Sequence, residues 1–114
     1  MEAKDYAAKL RQAQATKSPI SPLRDDIGEH NEELAYAIQQ VNTNHKLVDG
    51  ARIVGKKIGL TSNKVQEQFG ITTPDFGILF DDMEVLNGLS LPISEVMQPK
   101  IEGELAFVLG GLME

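Results

Sequence analysis

The residues best suited to a chemical role are two glutamates, Glu102 and Glu104, which are separated by one residue near the end of the 114-residue chain. Alternate side chains of a β-strand point to the same face, with α-carbons roughly 6.5–7 Å apart. Two carboxylates at that spacing can bind one hard divalent cation, which offsets the repulsion between them. The same spacing is common on the hydrated face of a strand, where Lys100 can neutralise charge. Spacing alone leaves both interpretations open.

Lys57 is the second candidate, because of its neighbours on the predicted strand. Alternation places Lys57 on one face with Gly55 and Gly59, whereas Lys56 lies on the opposite face. Glycines on a strand face often mark the close approach of a ligand, and a lysine beside them can bind an anion or move a proton. The alternative is a solvated lysine on an edge strand.

Asp75 is the third candidate, within the run Pro74-Asp75-Phe76-Gly77. This composition predicts a turn in which the aspartate side chain bonds to its own backbone. The functional alternative is that Asp75 orients a water molecule or a lysine.

The first half of the chain must fold as helices to position these residues. Alanine-rich periodicity predicts a helix from about Glu2 to Thr16. Asn31 is placed to cap a second helix, which ends near Gly50. Its expected apolar stripe comprises Leu34, Ile38, Val41, His45 and Val48.

The second half is expected to contain short strands. Strands are predicted for Arg52–Leu60, Ile78–Phe80, Glu84–Leu86 and Lys100–Leu109, with a turn at Asn87-Gly88 and a short helix from Asn63 to Phe69. Helices followed by strands indicate an α+β fold, with residues 1–50 helical and residues 51–114 strand-rich.

Composition excludes several classes of function. Seventeen acidic residues against eleven basic ones give a net charge of −6, which disfavours binding to nucleic acid or to an anionic membrane surface. The absence of cysteine excludes disulfides, thiol nucleophiles and cysteine-based zinc sites. The N-terminus has no signal-peptide pattern, so we expect a cytoplasmic protein that makes no contact with a membrane.

Three linked motifs give a more specific indication than any single residue. They are Ile53–Ser62, containing Lys-Ile-Gly-Leu-Thr, then Pro74–Gly77, then Gln98–Glu104. Their order and spacing resemble the hydratase and decarboxylase branch of the fumarylacetoacetate hydrolase superfamily, and most closely its 2-hydroxypentadienoate hydratases. The resemblance extends from about Ser18 to Leu109 and includes Ala35–Gln40 on the second helix.

This resemblance implies a role for each candidate. Glu102 and Glu104 would supply two of three carboxylates around Mg²⁺ or Mn²⁺, and Lys57 and Asp75 would be catalytic. The implied reaction converts 2-hydroxypenta-2,4-dienoate into 4-hydroxy-2-oxopentanoate by ketonisation and addition of water. The residues implied to bind substrate are Lys57, Leu60, Thr61 and Phe76.

The resemblance also sets expectations for the whole molecule. Relatives continue well beyond the position that matches Glu114, so we expect an N-terminal portion, with the catalytic domain begun in residues 51–114 and weak or absent activity. A homo-oligomer is implied, as is a pathway partner that is an aldolase or a decarboxylase. Two alternatives stay open: a 2-oxo-3-hexenedioate decarboxylase, and a non-catalytic domain that self-associates.

Overall fold

A computed structural model describes residues 1–111 of the chain and has an α+β architecture, which confirms the expected fold class. The helices come first and a two-stranded sheet follows them. No helix among the described residues is both long and apolar enough to cross a membrane. The elements are α1 (Ala3–Thr16), α2 (Arg24–Ile27), α3 (Glu32–Val48), β1 (Ile53–Gly59), α4 (Asn63–Phe69) and β2 (Asp75–Phe80).

The helical core lies between α1 and α3. Tyr6, Ala7 and Ile38 are buried there, with exposed fractions of 7%, 0% and 2%. At its edge the Arg11 guanidinium donates a hydrogen bond to Asn42 Oδ1 at 2.7 Å. The apolar spacing predicted for the two helices therefore forms one shared interface.

Helix α3 begins as predicted, because Asn31 Oδ1 accepts a hydrogen bond from the Leu34 amide at 3.2 Å. The expected apolar stripe is wrong at its end. His45 and Val48 are exposed, and His45 Nδ1 lies 3.0 Å from the Asp49 carboxylate. A carboxylate one turn away gives the imidazole a polar partner at the surface.

Strands β1 and β2 pair in an antiparallel hairpin, with Lys57 opposite Gly77 and Gly59 opposite Asp75. The intervening α4 ends as predicted, with Gly70 in the left-handed region at φ 66°. The prediction of a turn across Pro74–Gly77 is wrong. Residues from Asp75 onward belong to β2, because pairing with β1 overrides the local turn preference.

After Phe80 the described chain is mostly irregular. Two short 3₁₀ turns, Asp81–Met83 and Ile93–Glu95, interrupt it, and the predicted turn at Asn87-Gly88 is confirmed. The strands predicted at Glu84–Leu86 and Lys100–Leu109 are wrong for the described residues. A strand needs a bonded neighbour, and the sheet described here has only β1 and β2.

Candidate functional site

The two predicted catalytic residues lie together on one face of the β1–β2 hairpin. Because residues two apart in a strand share a face, Lys57 and Gly59 lie on the same side as their partners Gly77 and Asp75. Lys57 and Asp75 are therefore diagonal neighbours across the two strands, a separation within reach of long side chains. The structure thus places a lysine and a carboxylate where both can face one small molecule.

Glycine occupies the position directly opposite each of these side chains. A Cβ built at Gly77 would lie 3.1 Å from Lys57 Cγ, and one built at Gly59 would overlap the Asp75 carboxylate. The sequence predicted open space around Lys57, but it did not indicate Gly77 as the neighbour that provides it. That assignment requires the register between the strands, which no local pattern contains.

A cavity of about 310 Å³ lies between α3 and the start of β2. Its lining includes three of the predicted functional residues, Leu60, Asp75 and Phe76. Lys57 and Thr61 are not among the residues that line it. The structure therefore brings part of the predicted substrate site into one cavity, with Asp75 common to the cavity and to the face that carries Lys57.

Helix α3 holds this cavity in place through two side chains to which the sequence assigned no role. The Phe76 amide donates a hydrogen bond to Tyr36 Oη at 3.1 Å, and Gln39 Nε2 donates one to the Phe76 carbonyl at 3.1 Å. Both polar groups of one residue on the outer edge of β2 are thereby satisfied. Two signals were available: the i, i+3 spacing of Tyr36 and Gln39 places them on one helix face, and both lie in the segment Ala35–Gln40 that shares the family resemblance.

Leu60 adopts a backbone conformation that is rare for a residue with a side chain. Its φ is 55°, and Gln66 Nε2 donates a hydrogen bond to its carbonyl at 2.7 Å. The left-handed conformation costs about 1–2 kcal/mol outside glycine, and such strain often occurs at binding sites. Leu60 thereby turns the chain from β1 toward α4 at the cavity wall, and the exposed Thr61 follows it.

The opposite end of the hairpin is joined to α3 by charged contacts. Lys46 Nζ lies 2.6 Å from an Asp82 carboxylate oxygen and 4.8 Å from the centre of the Phe80 ring. Asp81 accepts hydrogen bonds from the Arg52 amide at 2.9 Å and from its guanidinium at 3.1 Å. These bonds, led by the backbone amide, lower the pKa of Asp81. This cluster orients the sheet against α3.

Glu102 and Glu104 lie on an exposed irregular segment. The structure shows neither in an ion pair with Lys100 or any other base of residues 1–111. Their oxygens are the donor type that Mg²⁺ prefers. Within the described part of the chain, however, no group of three or more histidines or acids could hold a metal ion. The pair fits a hard cation in donor chemistry, and two carboxylates would supply only part of a coordination shell.

Known proteins resemble this chain over most of its length. The 2-keto-4-pentenoate hydratase of Paraburkholderia xenovorans is 49% identical over 106 residues, which cover 93% of this chain and 39% of the relative. The 2-keto-4-pentenoate hydratase of Burkholderia vietnamiensis is 50% identical over 103 residues, 90% of this chain and 39% of the relative. This chain is homologous to the 2-keto-4-pentenoate hydratases over that shared stretch. It spans about two fifths of the length of these curated relatives.

A solved structure of another enzyme also resembles this chain. The 4-oxalocrotonate decarboxylase of Pseudomonas putida G7, complexed with magnesium and adipate, has a TM-score of 0.65 and is 31% identical. The match covers 70% of this chain and 30% of the decarboxylase. The same decarboxylase has also been solved with calcium and acetate. No protein-family model matches the chain.

Proposed function

We propose that this chain functions in a hydratase, which adds water to 2-hydroxypenta-2,4-dienoate and forms 4-hydroxy-2-oxopentanoate. The observation that carries the proposal is the placement of Lys57 and Asp75 on one glycine-lined face, with Asp75 at a cavity wall. Relatives named as hydratases, 49–50% identical to the chain, support the same chemistry.

The reaction needs two proton movements, which these side chains are suited to assist. Ketonisation takes a proton from the 2-hydroxyl and delivers one to C5, leaving a 2-oxo-3-enoate. Water then adds its oxygen to C4, and a proton enters at C3. We assign Lys57 to binding of the anionic substrate or to proton transfer, and Asp75 to orienting the water. Leu60, Thr61 and Phe76 are assigned to the substrate pocket.

Glu102 and Glu104 are assigned as two oxygen ligands of a divalent cation, Mg²⁺ or Mn²⁺. When bound, the cation would stabilise the negative charge that develops on the 2-oxygen of the substrate. Magnesium and calcium in the related decarboxylase support a divalent metal. Two carboxylates leave further positions of a six-coordinate shell to water, substrate or other protein oxygens.

A turnover assay with matched lysine variants tests this assignment. The ultraviolet absorbance of the dienoate is followed with Mg²⁺ for the unmodified chain, Lys57→Met and Lys56→Met. We expect Lys57→Met to lower the rate about 100-fold or more, as expected for loss of a proton-transfer group, and Lys56→Met to change it less than about twofold. Lys56 lies next to Lys57 but on the other face, so it controls for loss of charge. Equal rates for all three proteins, each above the rate with Mg²⁺ alone, would exclude the assignment.

A 2-oxo-3-hexenedioate decarboxylase is a second candidate, supported by the structural similarity to 4-oxalocrotonate decarboxylase. The sequence identity of 31% to that enzyme, against 49% to a hydratase, favours hydration. Measuring carbon dioxide release from 2-oxo-3-hexenedioate distinguishes the two. Release faster than dienoate hydration would reverse the order of preference.

We also propose that the chain forms a homo-oligomer. Ile101, Leu105, Phe107 and Val108 have exposed fractions between 88% and 100%. Fully burying such side chains stabilises an assembly by about 1.5–3 kcal/mol each. Light scattering after size-exclusion chromatography measures the assembled mass, and a strictly monomeric mass at high concentration would contradict the proposal. A pathway aldolase or decarboxylase is a further proposed partner, suggested by the reaction assigned to the chain.

A further inference from the structure

Gly59 is packed against the carboxylate of its strand partner, Asp75. A Cβ built at Gly59 would overlap Asp75 Oδ1, and it would lie 3.3 Å from Asp75 Cγ and 3.7 Å from Oδ2. The carboxylate therefore occupies the space that any other residue at position 59 would fill with its own side chain.

This contact differs from those at the other glycines of the hairpin. At Gly77 the added Cβ would meet the flexible aliphatic stem of Lys57, with Cγ at 3.1 Å and Cδ at 3.6 Å. At Gly55 it would meet Leu79 Cδ1 at 3.5 Å, an ordinary van der Waals contact. Of the ten glycines in the chain, all within the described residues, Gly59 is the one whose Cβ would meet a carboxylate.

The backbone of Gly59 does not itself require glycine. Gly59 lies inside β1 and is absent from the glycines with positive φ, which are Gly28, Gly50, Gly70 and Gly88. Alanine is compatible with an extended strand. The need for glycine at this position therefore concerns space above the strand and not the conformation of the main chain.

We propose that Gly59 is a positioning residue for Asp75, and that the absence of a side chain at position 59 lets the carboxylate lie across β1 on the face that carries Lys57. The inference rests on the proposed function insofar as it gives Asp75 and Lys57 roles in the reaction. Gly59 itself contributes no group to the chemistry. It determines the position of the Asp75 carboxylate.

Gly59→Ala is expected to move the carboxylate without unfolding the hairpin. The overlapping atom is the end of a side chain that can rotate about χ1 to another staggered position, whereas the paired backbone has no reason to shift. A displacement of about 1 Å in a reacting group can cost on the order of 100-fold in rate. The variant should therefore lose turnover while keeping its secondary structure.

The test compares Gly59→Ala with Gly55→Ala, the same change on the same face four positions earlier in β1. Three-bond couplings measured by NMR give the χ1 angle of Asp75 in each folded protein, whether or not the protein is active. We expect a new χ1 rotamer in Gly59→Ala and the original one in Gly55→Ala. An unchanged χ1 in Gly59→Ala would overturn the inference.

Kinetics then link the displacement to function. We expect kcat for dienoate hydration to fall about 10- to 100-fold in Gly59→Ala. In an Asp75→Ala background Gly59→Ala should cause no further loss, because its effect passes through the missing carboxylate. Full additivity of the two changes would contradict a positioning role. Absence of turnover in the unmodified chain would instead reject the proposed function, and the χ1 measurement would still decide the position of Asp75.

Discussion

Replacing Tyr36 by phenylalanine removes the hydrogen-bond acceptor of the Phe76 amide and keeps the aromatic ring. Tyr36 Oη lies 3.1 Å from the Phe76 nitrogen, and Gln39 holds the carbonyl of the same residue. The Tyr36 hydroxyl is thus one of two groups that fix the edge of β2 beside Asp75. We expect Tyr36→Phe to loosen this edge locally.

The magnitude follows from the environment of the bond. A neutral hydrogen bond contributes about 0.5–1.5 kcal/mol, because water replaces it in the unfolded chain. Tyr36 is 38% exposed and Phe76 is 55% exposed, so water can also reach the freed amide in the folded protein. We therefore expect the lower part of the range, about 0.5–1 kcal/mol. That free energy corresponds to roughly two- to fivefold faster exchange of the Phe76 amide hydrogen.

Amide hydrogen exchange followed by NMR measures this effect directly. The Phe76 amide should exchange roughly two- to fivefold faster in Tyr36→Phe, whereas amides in the middle of α1 should keep their rates. Gln40→Met is a matched control on the same helix, since within residues 1–111 the Gln40 side chain bonds only to Asn44. Identical Phe76 exchange in Tyr36→Phe and the unmodified chain would refute the assignment of Tyr36 as the acceptor that holds β2.

Two further predictions concern stability. Ile38→Ala removes three buried carbons, each worth about 0.8 kcal/mol. Because Ile38 borders an open cavity, the substitution creates little new enclosed void. The free energy of unfolding, measured in urea, should therefore fall by about 2–3 kcal/mol. Val48→Ala, at a position 86% exposed, should cost less than about 0.5 kcal/mol, and equal losses would contradict the described core. Hydrogen bonds from Arg52 lower the pKa of Asp81 in the folded chain. The ionised carboxylate therefore stabilises the fold above about pH 4, the pKa of an aspartate in the unfolded chain. This stabilisation is lost as the pH falls through the lower pKa that Asp81 has in the folded chain. Asp81→Asn should therefore be less stable than the unmodified chain at pH 7, with a difference that closes on acidification; a difference independent of pH would contradict this.

Helices α1, α3 and α4 could be predicted because their signals are local, whereas the single turn of α2 was not predicted. Asn31 caps α3 through a bond three residues along the chain, and Gly70 ends α4 in a conformation that favours glycine. The strand face on which Lys57 lies could also be predicted, because alternate residues of a strand point to the same face. These features need no information from distant parts of the sequence.

The rest depends on contacts between distant residues. Pro74–Gly77 has the composition of a turn, yet Asp75 joins a strand because β1 lies beside it. The role of Gly59 follows from its register with Asp75, and that of Tyr36 from docking of α3 on β2. The segment 101–109 has the composition of a strand without a bonded neighbour among the described residues.

The most direct test of the account is a proton NMR assay of 2-hydroxypenta-2,4-dienoate with the chain and Mg²⁺. Because weak activity is expected of this chain, we predict that 4-hydroxy-2-oxopentanoate accumulates slowly. A chelator should stop its formation, and Glu102→Gln with Glu104→Gln should slow it about 100-fold or more, since both charged oxygen ligands are lost. Substrate loss no faster than with Mg²⁺ alone, or an unchanged rate in the double variant, would contradict a metal-dependent hydratase built on these residues.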